Sequence, residues 1–191
     1  LVRDAAFVTE GVVTIAKLRV NSTGSFTATN TLVTATNRIL IYGALNMDGS
    51  IFRSGGNVLL YPGSSITLTN GASIKATGNF QNEGTLFICA TCCVSTETGN
   101  LFVEPTGTVS GTGAFYSMVG NISNDGVIDT TITWCVAGSS TGMDGNAIDC
   151  TGAVAICSAS PLAISDISFY LSKEKNNSVS VQWILAEAVR G

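Results

Sequence analysis

The chain of 191 residues suits one domain, or one domain with a short appendage. Hydrophobic residues reach 45% and charged residues only 12%, against about 25% charged in an average soluble domain. No apolar run approaches the ~18 residues of a membrane-spanning segment, and the 9 basic residues of a chain with net charge −4 are scattered, which excludes the basic stripe that a nucleic-acid partner requires.

A chain opening on Leu1 is expected to have lost an upstream segment, with a secretory signal the usual candidate. The first repeat unit, at about 17–51, carries SFTATN at 25–30 and ends on GALNMDGSI at 43–51. A second, at about 57–88, opens on NVLLYP, carries SITLTN at 65–70 and contains GNFQNEGTL at 78–86. A third, at about 100–130, opens on NLFVEP and contains GNISNDGVI at 120–128. The three Gly-x-φ-x-x-[Asp/Glu]-Gly-x-φ phrases begin at 43, 78 and 120, which is 35 and then 42 residues apart.

Within a unit the period is two. In Ser65–Thr69 the apolar Ile66 and Leu68 face one way, and Thr67 and Thr69 the other. Turn pairs (Pro62-Gly63, Asn70-Gly71, Gly78-Asn79, Glu83-Gly84) punctuate these β-branched runs roughly every 6–8 residues. Short strands with frequent corners and an internal repeat predict an all-β chain folded as a β-solenoid, a right-handed parallel β-helix in which each repeat supplies two coils of roughly 17–21 residues. A β-sandwich built by duplication is the alternative fold. Asn82 and Asn124 fall at matching repeat positions and are expected to stack as a ladder, with Met47 in that slot of the first unit.

Cysteines form two clusters. Cys89, Cys92 and Cys93 lie in an insert at 89–99, and Cys135, Cys150 and Cys157 in a Gly/Ser/Ala-rich segment at 131–160 expected to be a loop or a distorted coil. Cys89-x2-Cys92 resembles half a zinc knuckle, but spacings of 15 and 7 among the other three supply no second half. An even set of six in a chain without histidine is therefore read as disulfides, stapling one cluster to the other.

From Pro161 the register changes. Two strands are legible at 164–172 and 178–185, carrying Ile164, Ile167, Phe169, Leu171, Val179, Val181, Trp183 and Leu185 on either side of a charged turn. An isolated two-stranded hairpin this apolar is marginal in water, so residues 161–191 are expected to be covered, by this chain's coils or by a neighbour.

PLAISDISF at 161–169, followed by VSVQW at 179–183 with Ala186 and Glu187, resembles a junction in secreted surface proteins of the Bacteroidota. There, a Pro-Leu-Pro-type linker opens a fibronectin-like module of type IX secretion cargo, downstream of Gly/Asn/Thr-rich β-repeats. In this chain Ala163 replaces the second proline, Glu187 falls one position early, and the module ends after two strands where a full sandwich has about seven. The resemblance implies a secreted, cell-surface protein. A truncated sandwich can complete an open sheet on the next subunit by strand addition. The expected function is therefore a structural subunit of an extracellular filament, polymerising with itself through Ile164, Ile167, Phe169, Leu171, Val179, Val181 and Trp183.

Enzymatic readings lack parts. Asp48, Glu83 and Asp125 occupy matching positions in the phrases and could form a carboxylate row, as in a polysaccharide lyase or hydrolase. Each precedes a corner glycine, however, where turn chemistry already favours such residues. No nucleophile elbow or phosphate loop occurs, so no catalytic, cofactor-binding or metal site is expected. Asp144-Gly-Asn146 with Asp149 reads as a turn and not a calcium loop. A module binding cell-surface or matrix glycans is the alternative function, with Tyr42, Phe52, Tyr61, Phe115, Tyr116, Trp134 and Trp183 as candidate stacking residues. The threonine rows form no strict ice-binding ladder. Asp129-Thr130-Thr131 resembles a Bacteroidota O-glycosylation acceptor, with Thr130 as the modified residue.

Overall fold

The computed structural model describes the backbone of residues 6–150, 167–173 and 179–185, and the side chains of residues 11–150. The chain divides into two units, Leu1–Pro161 and Leu162–Gly191, each described by itself.

The first unit is a β-solenoid of about seven coils. Strands β1 (Ala6–Val20) and β2 (Ser25–Ile41) each run the length of a coil. Later coils break into three short strands: β3 (Ala44–Asp48), β4 (Ile51–Ser54) and β5 (Val58–Leu60), then β6 (Ser65–Thr69), β7 (Ser73–Ala76) and β8 (Phe80–Asn82). The pattern continues through β9 (Thr85–Ile88), β10 (Cys93–Thr96), β11 (Leu101–Val103), β12 (Thr108–Gly111), β13 (Ala114–Ser117) and β14 (Ile122–Asn124). It ends with β15 (Val127–Ile128), β16 (Thr133–Val136), β17 (Ser140–Thr141) and the partial rung β18 (Asn146–Ala147).

All inter-coil pairings are parallel and build three columns. In the first, Ser25, Ala44, Ser65, Thr85, Thr108 and Val127 are successive register partners, so the coils consume 19, 21, 20, 23 and 19 residues. The alternation read in Ser65–Thr69 holds: Ile66 and Leu68 are buried and their neighbours half-buried. Inward rows then run along the stack of coils. One is Val13, Val33, Phe52, Ile74, Val94, Phe115 and Trp134; another is Leu18, Ile39, Val58, Phe80, Leu101 and Ile122. One coil cannot enclose its own apolar side chains, and stacking merges them into one core. Its edge-to-face contacts include Phe26–Phe52 at 5.7 Å and Phe80–Phe115 at 6.1 Å between ring centroids.

The echo SFTATN/SITLTN marks one corner two coils apart. Asn30 and Asn70 follow the first-column strand with φ of 48° and 52°, and Gly49, in the coil between, has φ of 56°. All three are left-handed, a conformation open to Gly and tolerated by Asn. In the next coil the Cys89–Cys92 disulfide closes this corner.

The repeating unit is a single coil, which corrects the phase of the three phrases. GNFQNEGTL and GNISNDGVI cover third-column strands two coils apart, whereas GALNMDGSI covers the first-column strand β3. The phrase describes any corner–strand–corner passage in this fold, so its first copy matches in chemistry and not in position. The supposed insert 89–99 holds the regular rung β10, and 131–150 continues the stack through β16, β17 and β18.

The expected ladder of Asn82 and Asn124 is also corrected, since Val103 lies between them in register. Both are buried in a row otherwise held by Val20, Ile41, Leu60 and Val103. Asn82 accepts from the Gly84 N–H at 3.0 Å and donates to the Thr108 carbonyl at 2.9 Å. Asn124 repeats this with Gly126 at 3.1 Å and Gly142 at 2.7 Å. The ladder that exists stands one corner earlier. The side-chain carbonyls of Asn57, Asn79, Asn100 and Asn121 accept the backbone N–H of Asn79, Asn100, Asn121 and Ser139 in turn, at 2.8–3.0 Å.

These bonds make the buried asparagines testable. Asn82→Leu adds apolar character at nearly constant size, so burial alone would leave it neutral or stabilising. Because it orphans the Gly84 N–H and the Thr108 carbonyl, the variant is expected to lose about 1–3 kcal/mol in urea unfolding.

The second unit contributes β19 (Ile167–Lys173) and β20 (Val179–Leu185), an antiparallel pair with Phe169 opposite Trp183 and Leu171 opposite Val181.

Candidate assembly end of the solenoid

Strand β1 is the first rung and, among the described residues, pairs only with β2. Along its fifteen residues the other edge has no strand partner among the described residues. Inside this edge Val13 and Ile15 are only partly buried, while Val33 and Ala35, their register partners one coil in, are fully buried. Val12 on the outer face is 64% exposed. A long edge of this kind can template another chain; β1 carries charges at Glu10, Lys17 and Arg19, and its register with β2 shifts between Thr9 and Gly11 and between Ile15 and Lys17. Lys17 and Arg19 are the cations on its final turn.

Arg19 begins a column of stacked side chains at the corner between the third and first strand columns. Its guanidinium lies 4.8 Å from the Tyr42 ring centroid, and Tyr42 stacks on Tyr61 at 4.0 Å with planes 10° apart. The Tyr61 phenol is raised above its ordinary value, chiefly by its hydrogen bond with Tyr42 and then by desolvation. Backbone bonds place Glu83, Glu104 and Asp125 at this corner of the next three coils. The carboxylate row is thus Glu83, Glu104 and Asp125. Asp48 sits at a different corner, where its carboxylate accepts from Thr69 at 3.3 Å and from the Asn70 amide.

On the second column's outer face, Lys75 pairs with Glu97 at 2.7 Å, and Thr77 donates to the same carboxylate at 3.0 Å. These two hydrogen bonds, Lys75 first, lower the Glu97 pKa. Arg53 lies in register with Lys75 on the adjacent rung. No group of three or more acidic, cysteine or histidine side chains among the described residues is arranged to hold a metal.

Candidate sugar-stacking residues separate sharply. Phe52 and Phe115 are fully buried and Tyr116 nearly so, which removes them as a platform. Tyr42 is occupied on one face by Arg19 and on the other by Tyr61. Trp134 packs against the core, and the side chain of Trp183 lies outside the described residues.

The cysteines are oxidised as expected, with a different connectivity among the described pairs. Cys89 bonds Cys92, and Cys135 bonds Cys150, so both bridges close within a cluster and not between clusters. Cys93 is also disulfide-bonded; Cys157 lies outside the described residues. Cys93, Ala114, Tyr116 and Cys135 line the outer face of the second column, where Ile148 and Cys150 cover them. Thr130 is exposed at a corner, and the neighbouring Asp129 carboxylate accepts the Thr131 N–H at 3.2 Å.

Among the residues expected to polymerise, Ile167, Phe169, Leu171, Val179, Val181 and Trp183 lie on the two strands of the hairpin, but their side chains are outside the described residues, as is Ile164 altogether. The free edge of β1 was missed in the sequence. Its signal was present in AFVTEGVVTIAKLRV, a fifteen-residue β-prone run that begins ahead of the first recognised unit and overlaps its start. Comparison with protein-family models, curated proteins and solved structures finds no match to the chain. Among the described residues, no helix is long and apolar enough to cross a membrane.

Proposed function

We propose that the chain is a structural subunit of an extracellular filament, joined head to tail by strand addition between a neighbour's C-terminal segment and the open first rung. The observation that carries this reading is the fifteen-residue edge of β1, unpaired among the described residues, with Val13 and Ile15 half-covered beneath it. A heterologous contact of this kind does not close on itself and generates a fibre. The disulfides support an oxidising compartment, and the resemblance of residues 161–187 to secretion cargo supports the same location. The role is mechanical and calls for no catalytic centre or cofactor.

The edge itself supplies the test. Charged side chains pointing inward from an edge strand block further pairing while remaining solvated in the monomer. In sedimentation velocity, the native chain is expected to give polymers that grow with concentration. Val13→Lys/Ile15→Lys is expected to give monomers with an unchanged far-UV circular dichroism spectrum. Equal polymerisation by both would overturn the reading.

A further inference from the structure

Coils stack in chain order about 4.8 Å apart, so sequence position is axial position, and along this axis the charges separate. The rungs from the start of β1 to Lys75, residues 6–75, hold five basic residues (Lys17, Arg19, Arg38, Arg53, Lys75) and two acidic, Glu10 and Asp48. Residues 76–150 hold seven acidic side chains and no lysine or arginine. The one ion pair among the described residues, Lys75–Glu97, sits where the two halves meet. The ends are therefore of opposite sign. At the first end, Lys17 lies directly opposite Arg38 in register, and no acidic residue occurs between residues 11 and 47. Like charges opposed on adjacent strands are destabilising, and the first two rungs keep an excess of cations, with Lys17, Arg19 and Arg38 against Glu10 alone. At the other end Asp125, Asp129 and Asp144 are exposed. One corner shows the gradient in a single column, from Arg19 through Tyr42 and Tyr61 to Glu83, Glu104 and Asp125.

We propose that the partner of the basic first end is the acidic last end of a second copy of this chain, so that electrostatic complementarity fixes the polarity of the fibre. This rests on the filament reading and extends it: strand addition at β1 supplies backbone pairing, and the charges decide which end of the neighbour is admitted. Basic-to-basic and acidic-to-acidic encounters repel, which suppresses two-fold dimers that would cap the growing end. Residues 162–191 carry three acidic and three basic side chains, and so leave this polarity intact wherever they lie in the joint.

Charge reversal at each end separates this proposal from the filament reading. Variant A carries Lys17→Glu, Arg19→Glu and Arg38→Glu, and variant B carries Asp125→Lys, Asp129→Lys and Asp144→Lys, all in the full chain. Each alone presents two ends of one sign and is expected to raise the critical concentration for polymerisation by about tenfold or more. Mixed in equal amounts, A and B regain opposite ends and are expected to form an alternating copolymer near the native critical concentration. The native chain reports the same interaction without mutation. Raising salt from 0.1 to 1 M shortens the screening length from about 10 Å to about 3 Å and is expected to raise its critical concentration; this series decides the matter should either variant lose its native circular dichroism. Native fibres that ignore salt, with A and B each polymerising as well as native, would overturn the charge pairing and leave the filament standing. A native chain that never polymerises would overturn both.

Discussion

Phe80→Ala is expected to lower the unfolding free energy by about 3–5 kcal/mol, the range for truncating a fully buried aromatic. Phe80 has no solvent exposure and stands midway along its inward row, with Val58 and Leu101 as register partners on the rungs either side. It also meets the Phe115 ring edge-to-face across the interior. In a solenoid each coil is held only by its neighbours, so a cavity there weakens the interface above and the interface below together. The coils cannot collapse into the gap, because their spacing is fixed by the parallel ladder. Phe87 provides the internal control: it faces outward at 39% exposure, and Phe87→Ala is expected to stay within about 0.5 kcal/mol of native. Chemical denaturation of the two variants side by side reads the difference. Equal losses would mean that the inward and outward faces have been assigned wrongly.

Deleting residues 162–191 is expected to abolish fibres while leaving the solenoid folded. The described core draws on residues 18–135, none of them in the deleted unit. The hairpin, in contrast, is two strands in perfect alternating register from Ile167–Leu185 to Lys173–Val179, and two strands alone are marginal in water. Its own sheet contains no third strand among the described residues. Sedimentation velocity of the truncated chain should show a monomer with native β-sheet circular dichroism. Fibres from the truncated chain at the native critical concentration would remove the hairpin from the joint.

The sequence carried the architecture more clearly than the joints. Alternation at Ile66 and Leu68 needs only local physics, and it located the inward face correctly. The 42-residue spacing from Gly78 to Gly120 is two coils. The 35-residue spacing from Gly43 is no multiple of a coil, because every corner here uses the same Gly, Asn and acidic vocabulary. The Gly-Asn pairs at 56–57, 78–79, 99–100 and 120–121 were the better ruler, since a coil-to-coil hydrogen bond requires Asn at that one corner. Asn82 and Asn124 looked equivalent because they are, but equivalence two coils apart is not contact. The disulfides within clusters are contacts set by how corners fold, as at Cys89 and Cys92, and spacing alone does not rank them. The charge gradient from Arg19 to Asp125 could be read only after coils had been assigned, because along the sequence the same residues look merely scattered.

Whether these molecules join end to end is the question on which everything functional depends, and imaging answers it most directly. Negative-stain electron microscopy of the purified full-length chain over a concentration series is expected to show uniform, unbranched fibres whose length grows with concentration. Isolated single particles at every concentration would contradict it.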